Sequence, residues 1–63
     1  MVEKKQIIVN DKIFYLRYFE DPVLGDMVDV YDEEEIYLDE VEGSTENEEA
    51  INQVIETIKQ EFL

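Results

Sequence analysis

The chain has no cysteine and no histidine. Disulfide staples, thiolate chemistry, zinc sites built on Cys or His and imidazole acid–base catalysis are therefore excluded. Basic residues are scarce: five Lys and Arg stand against eighteen Asp and Glu, for a formal net charge of −13. That balance excludes nucleic acid and anionic membrane surfaces as direct ligands and favours basic partners. A long apolar run is missing too. The opening MVEKKQIIV has three consecutive apolar residues before Asn10, far short of a signal-peptide core or a membrane span. Small extracellular domains without staples are unusual, so a soluble, cytoplasmic protein is expected.

What is present points to one folded domain over residues 1–63. Hydrophobic residues make up 44% of the chain, with four Tyr and three Phe, which is too apolar for a disordered composition. A chain this short buries only about 60% of its unfolded surface, so its stability margin is small. Charge is unevenly placed. Residues 1–19 are net basic, with Lys4, Lys5, Lys12 and Arg17 against Glu3 and Asp11. Residues 20–49 hold 14 carboxylates and no base at all.

Residue patterning predicts an α+β fold. Gln6–Val9 and Ile13–Phe19 are β-rich runs separated by Asn10 and Asp11, which tolerate the left-handed backbone of a tight hairpin turn. The second run is apolar on both faces, Ile13, Tyr15 and Phe19 on one and Phe14, Leu16 and Tyr18 on the other, as in a central strand. EDPVLGD breaks the pattern and reads as a loop. A second hairpin follows in MVDVYDEEEIYLDEV, with its turn near Glu33 and Glu34. Thr45 and Glu48 have capping-box spacing, and Ile51, Val54, Ile55, Ile58 and Phe62 form one helical stripe. The expected architecture is an antiparallel sheet of three or four strands with one C-terminal amphipathic helix on one face. Val28, Val30, Ile36 and Leu38 would join the helix stripe in the core. The far side of the second strand keeps surplus apolar surface, open to a second copy in a homodimer or to a partner.

The candidate binding surface is the acidic hairpin: Asp26, Asp29, Tyr31, Asp32, Glu33, Glu34, Glu35, Tyr37, Asp39 and Glu40. With Val28, Val30, Ile36 and Leu38 facing the helix, Asp29 and Asp39 would share the opposite face, with Tyr31 and Tyr37 between them. Same-face residues on a strand are about 6.6–6.8 Å apart, a separation comparable to that of successive phosphates on an extended nucleic-acid strand. A groove that binds a nucleic-acid backbone reads charge and spacing more than base identity, so a carboxylate array can compete for it. The leading expectation is a non-enzymatic nucleic-acid mimic that inhibits a basic DNA- or RNA-binding protein, with the tyrosines supplying contact area. An acidic adapter, or an immunity- or antitoxin-like inhibitor that plugs a basic site, is the alternative. A merely solvated face that guards sheet edges is the plain one. That plain reading accounts for charge in general, but not for thirty residues without Lys or Arg, since mixed signs keep a domain soluble with less repulsion. Size and charge are also those of the small acidic inhibitors that mobile elements direct at host nucleic-acid enzymes, an analogy that covers no motif.

Other chemistry fits poorly. Counting from Asp29, an EF-hand loop would have Glu40 at its twelfth position, but its sixth is Glu34 where the loop requires Gly. A paired-carboxylate hydrolase needs a cleft that one sheet and one helix hardly provide. Ser44 has no His to activate it. No cofactor or metal is expected. Arg17 reads as the partner of an acid on a neighbouring strand, the Pro22–Gly25 segment as a connector, and Lys4, Lys5 and Lys12 as offsets to the acidic hairpin.

Overall fold

The computed structural model describes residues 4–63. Four strands, β1 (Lys5–Val9), β2 (Lys12–Asp21), β3 (Gly25–Tyr31) and β4 (Tyr37–Glu42), precede one helix, α1 (Glu48–Phe62). The strands form an antiparallel meander in the order β1-β2-β3-β4, and the helix packs on one face.

Each turn is made by the residues at it. Asn10 and Asp11 have φ of 50° and 66°, the two left-handed positions that a two-residue hairpin loop requires, and Val9 pairs with Lys12 directly across them. The β2–β3 connection is tighter than a loop. β2 runs on to Asp21, which pairs with Gly25, and the Asp21 carboxylate accepts from the backbone N–H of Val23 at 2.8 Å and of Leu24 at 2.9 Å. Those two bonds, Leu24 first, hold the Asp21 carboxyl below its ordinary pKa.

The core lies between the sheet and α1. Ile7, Val9, Phe14, Leu16, Val28, Val30 and Val41 point to the helix side and meet Val54 and Ile58, with Tyr18, Ile51, Ile55 and Phe62 packed around them. The helical stripe thus forms as the spacing requires. Phe14 and Phe62 close its C-terminal end with ring centroids 6.4 Å apart. The start of the helix differs from expectation. Asn47, in extended conformation, is the N-cap, and its side chain accepts from the Ala50 N–H at 2.9 Å. Thr45 lies two residues outside, and Ser44 Oγ accepts from the Glu46 N–H at 3.0 Å. The same Asx geometry that favours turns gives Asn the better cap.

The second correction concerns β4. Ile36 and Leu38 are 56% and 37% exposed and stand outside the core, where Val41 takes the place expected for them. Val28 pairs with Val41 and Val30 with Asp39, but Tyr31 pairs with Tyr37, so one extra residue enters β4 at a bulge. A one-residue slip turns every following side chain to the other face. Burying Val41 against Val28 fixes the register, and the bulge absorbs the mismatch.

The far face of the sheet has no covering element among the described residues. Pairing sets it out in rows: Ile8 beside Ile13; Gln6, Tyr15, Tyr31 and Tyr37; Arg17, Asp29 and Glu40; Phe19, Met27 and Glu42. Met27 is already 7% exposed beneath its neighbours, while Ile8 is 64% exposed and Tyr37 53%.

Candidate functional site

The acidic hairpin β3–β4 is wound on Asp32. Its carboxylate accepts from the N–H of Glu34 and of Ile36, both at 2.9 Å, while its backbone exchanges 2.9 Å bonds with Ile36 and Glu35. Glu35 has a φ of 63°, which turns its side chain back over the sheet, where its carboxylate lies 3.2 Å from Lys4 Nζ. The same ammonium sits 4.3 Å above the Tyr31 ring, which meets Tyr37 edge-on at 6.0 Å. Asp32 and Glu35 are therefore engaged within the chain. Glu33 and Glu34 at the turn tip stand exposed.

Asp29 is on the far face as expected, though not as a free charge. Its carboxylate lies 3.6 Å from Arg17 Nη1, with the Asp29 side chain 13% exposed and that of Arg17 40%. The pairing read for Arg17 holds. Glu40 follows in register beyond Asp29 and is exposed, as is Glu42 in the next row. Asp39, expected beside Asp29, falls on the helix side because of the bulge. There it meets Glu61, whose carboxyl is pushed above its ordinary pKa by a hydrogen bond with Asp39. Asp26 also belongs to the helix side, where it accepts from the Tyr18 hydroxyl at 2.7 Å. That bond, then desolvation and the charges of Asp26, Glu20 and Glu46, push Tyr18 up to about 12. Tyr37 is likewise raised, chiefly by desolvation and then by Asp29.

The ten residues singled out from sequence thus divide. Asp29, Tyr31, Tyr37 and Glu40 share the far face; Asp32, Glu33, Glu34 and Glu35 make the β3–β4 turn, where Glu35 meets Lys4 over Tyr31 while Asp32 and Glu33 border a recess shared with Phe14 and Phe62; Asp26 and Asp39 lie on the helix side of the sheet. Sequence reasoning passed over Glu42, which alternation from Glu40 would have found; Tyr15, read from sequence with the apolar far face rather than the acidic surface, completes a three-tyrosine row across β2, β3 and β4, whereas Tyr18, offered with it for that face, lies on the helix side. No group of three or more metal-ligating side chains is assembled among the described residues, and no helix there is long and apolar enough to cross a membrane. A shallow recess lined by Tyr18, Glu20, Asp26, Thr45 and Glu46 lies near the start of α1. Comparison with protein families, characterised proteins and solved structures finds no match to this chain.

Proposed function

We propose that this protein acts by binding rather than catalysis, in the cytoplasm, by docking its acidic flank on the cationic surface of a nucleic-acid-binding protein and competing there with the polyanion. One observation carries the reading. Among the described residues, only Asp29 and Glu35 of the fourteen carboxylates in residues 20–49 lie within ion-pairing distance of a cation. Uncompensated charge of that density strains a small fold through self-repulsion, and a solubility surface of mixed sign would avoid the strain. A basic groove relieves it on contact.

The arrangement supports imitation of charge more than of duplex shape. Glu40 and Glu42 repeat at the strand spacing of about 6.7 Å, but Asp39 and Asp26 face the other way and Asp29 is neutralised by Arg17. A plug for a cationic site fits better than a replica of two phosphate rows. The position of β4 favours a second reading: it is an edge strand, and Asp39, Glu40 and Glu42 along it would block edge-to-edge pairing.

A pull-down from native lysate, with and without excess duplex DNA, separates the two. Retention of a nucleic-acid-binding protein that DNA releases supports the proposal. A catch indifferent to DNA, or none, leaves β4 as a guarded edge. Replacing Glu33, Glu34, Glu40 and Glu42 by Lys removes charge with no internal partner, so the fold should persist while capture is lost. Capture that survives in that variant overturns the proposal.

A further inference from the structure

The far face of the sheet is built for an occupant, and its charge identifies which. Its middle row is the Arg17–Asp29 pair, flanked by half-buried Tyr15 and Tyr31 on one side and by half-buried Phe19 and buried Met27 on the other, with Ile13 beyond the tyrosines. An antiparallel sheet commonly leaves one face to water, and that face is then polar; here both faces carry apolar and aromatic side chains. Helix α1 covers one. The rows on the other do not end symmetrically. Toward β4 the row through Arg17 and Asp29 ends in Glu40, and the row through Phe19 and Met27 ends in Glu42. Arg17 is matched by Asp29 and Lys4 by Glu35, so the margin is left anionic while the centre is nearly neutral.

A second copy of the chain is a poor cover for such a face. It would bring eighteen further acids and only five cations, and of those five, Arg17 and Lys4 are already paired on this same face. The complement required is an apolar stripe bordered by Lys or Arg.

On this basis, which rests on the function proposed above, we infer that the far face receives a cationic amphipathic α-helix of the partner, converting the two-layer fold into a three-layer one. The dimensions agree. An α-helix is about 10–12 Å across with its side chains, and β2 to β4 spans two strand spacings, about 9.6 Å. Cations at i and i+4 on a helix rise about 6 Å, close to the separation of about 6.7 Å between Glu40 and Glu42 on one strand face. A helix laid along the strands would set its apolar stripe on Tyr15, Tyr31, Phe19 and Met27, with successive cations over Glu40 and Glu42. Tyr37, exposed at the same margin, presents its ring to the cationic side chains.

The test uses three labelled peptides of eighteen residues: a Leu/Lys peptide of helical period, a Leu/Lys peptide of strict alternation, and oligolysine. Anisotropy titrations give affinities, and amide shift mapping of the isotopically labelled protein gives the surface. The helical peptide should bind at least about tenfold more tightly than either of the others, shifting Ile13, Tyr15, Phe19 and Tyr31, and Tyr15→Thr should reduce it to the oligolysine level. Equal binding by oligolysine, with shifts confined to Glu33, Glu34, Glu40 and Glu42, overturns the inference and leaves the proposed function standing. Tighter binding by the alternating peptide overturns the helical occupant, and a free protein that sediments as a dimer with Tyr15 and Phe19 protected overturns the face as a partner site. Failure of all three peptides to bind overturns both the inference and the function it rests on.

Discussion

Gly43 is where this fold has least room, and replacing it with alanine should cost more than any other single methyl group added to the backbone. It links β4 to the loop before α1 at a φ of +152°, donating its N–H to the Asp26 carbonyl at 3.1 Å. A Cβ built there would lie 2.8 Å from Val54 Cγ2, against 3.4–4 Å for ordinary contact. Val54 is 0% exposed and packed in the core, so it has nowhere to go. Two penalties combine: backbone strain of about 1–3 kcal/mol for a non-glycine residue in that region, and overpacking of about 1–3 kcal/mol. Together they take about 2–6 kcal/mol from a domain whose whole stability is of the order of 3–9 kcal/mol.

Gly25 supplies the control. Its φ is +84° and a Cβ there meets nothing within 4 Å, so Gly25→Ala should carry the strain alone. Urea unfolding of both variants gives the comparison, and Val54→Ala closes a double-mutant cycle. By itself Val54→Ala opens a cavity at a cost of about 2 kcal/mol; in the Gly43→Ala background it also removes the clash, so the two changes should couple favourably by about 1 kcal/mol or more. Additivity within about 0.5 kcal/mol, or equal destabilisation by Gly25→Ala and Gly43→Ala, would refute the reasoning.

The remaining expectations concern the cap and the charge. Asn47→Ala should destabilise by about 1 kcal/mol, whereas Thr45→Ala should stay within about 0.5 kcal/mol, as read from urea midpoints. Glu61, with an ordinary pKa of 4.5 raised by Asp39, favours folding in its protonated form, so its contribution grows as pH falls through that range. Asp21, with an ordinary value of 3.8 lowered by its backbone bonds, contributes above that value and is lost below it, so stability should rise from neutral pH toward the upper carboxylate range and fall again beneath it. In alkali, Tyr18 is protonated longer in the fold than out of it; its contribution is complete below 10 and lost between 10 and about 12, and Tyr18→Phe should flatten that part of the pH profile. Raising NaCl from about 0.01 M to about 1 M shortens the screening length from about 30 Å to about 3 Å, so the thermal midpoint should climb; a salt-independent midpoint would show that the net charge of −13 does not strain the fold.

The parts of this structure that were legible in the sequence are those set by local periodicity. The helix stripe from Ile51 to Phe62, the Asn10–Asp11 turn and the two apolar faces of β2 each follow from residues adjacent in the chain or one turn apart. The inward pair Val28 and Val30 was legible for the same reason. β4 was not, because apolar–polar alternation over Ile36–Asp39 and over Tyr37–Val41 gives two registers that differ by one residue, and only pairing with β3 chooses between them. The bulge at Tyr31–Tyr37 is that choice. It moved Ile36 and Leu38 out of the core, brought Val41 in and turned Asp39 to the helix. The helix cap was misplaced through a similar ambiguity, since Thr45 and Asn47 both carry side chains able to cap and the chain path after Gly43 selects Asn47. At the candidate site, sequence located the acids but not their state. That Asp32 is consumed by its own turn and that Asp29 and Glu35 are neutralised depends on contacts from Arg17, on another strand, and Lys4, thirty-one residues away from Glu35.

Those contacts also explain why so few cations suffice. Arg17 and Lys4 lie on the far face and meet Asp29 and the turn residue Glu35; without Arg17, Asp29 would be a largely buried, unpaired charge between Tyr31 and Met27. The scarce positive charge thus neutralises the middle of the sheet and leaves the β4 margin, the turn tip and the start of α1 anionic. In the binding role proposed above, such a division would separate two tasks. A one-signed margin would act at a distance, steering a cationic partner and raising its rate of encounter, which salt suppresses. The neutral aromatic rows would act only in contact, where apolar burial governs how long a complex lasts and salt has little hold on it. Sheet alternation lets one short chain carry both, because each strand gives every second residue to the core and is free to place the others by charge.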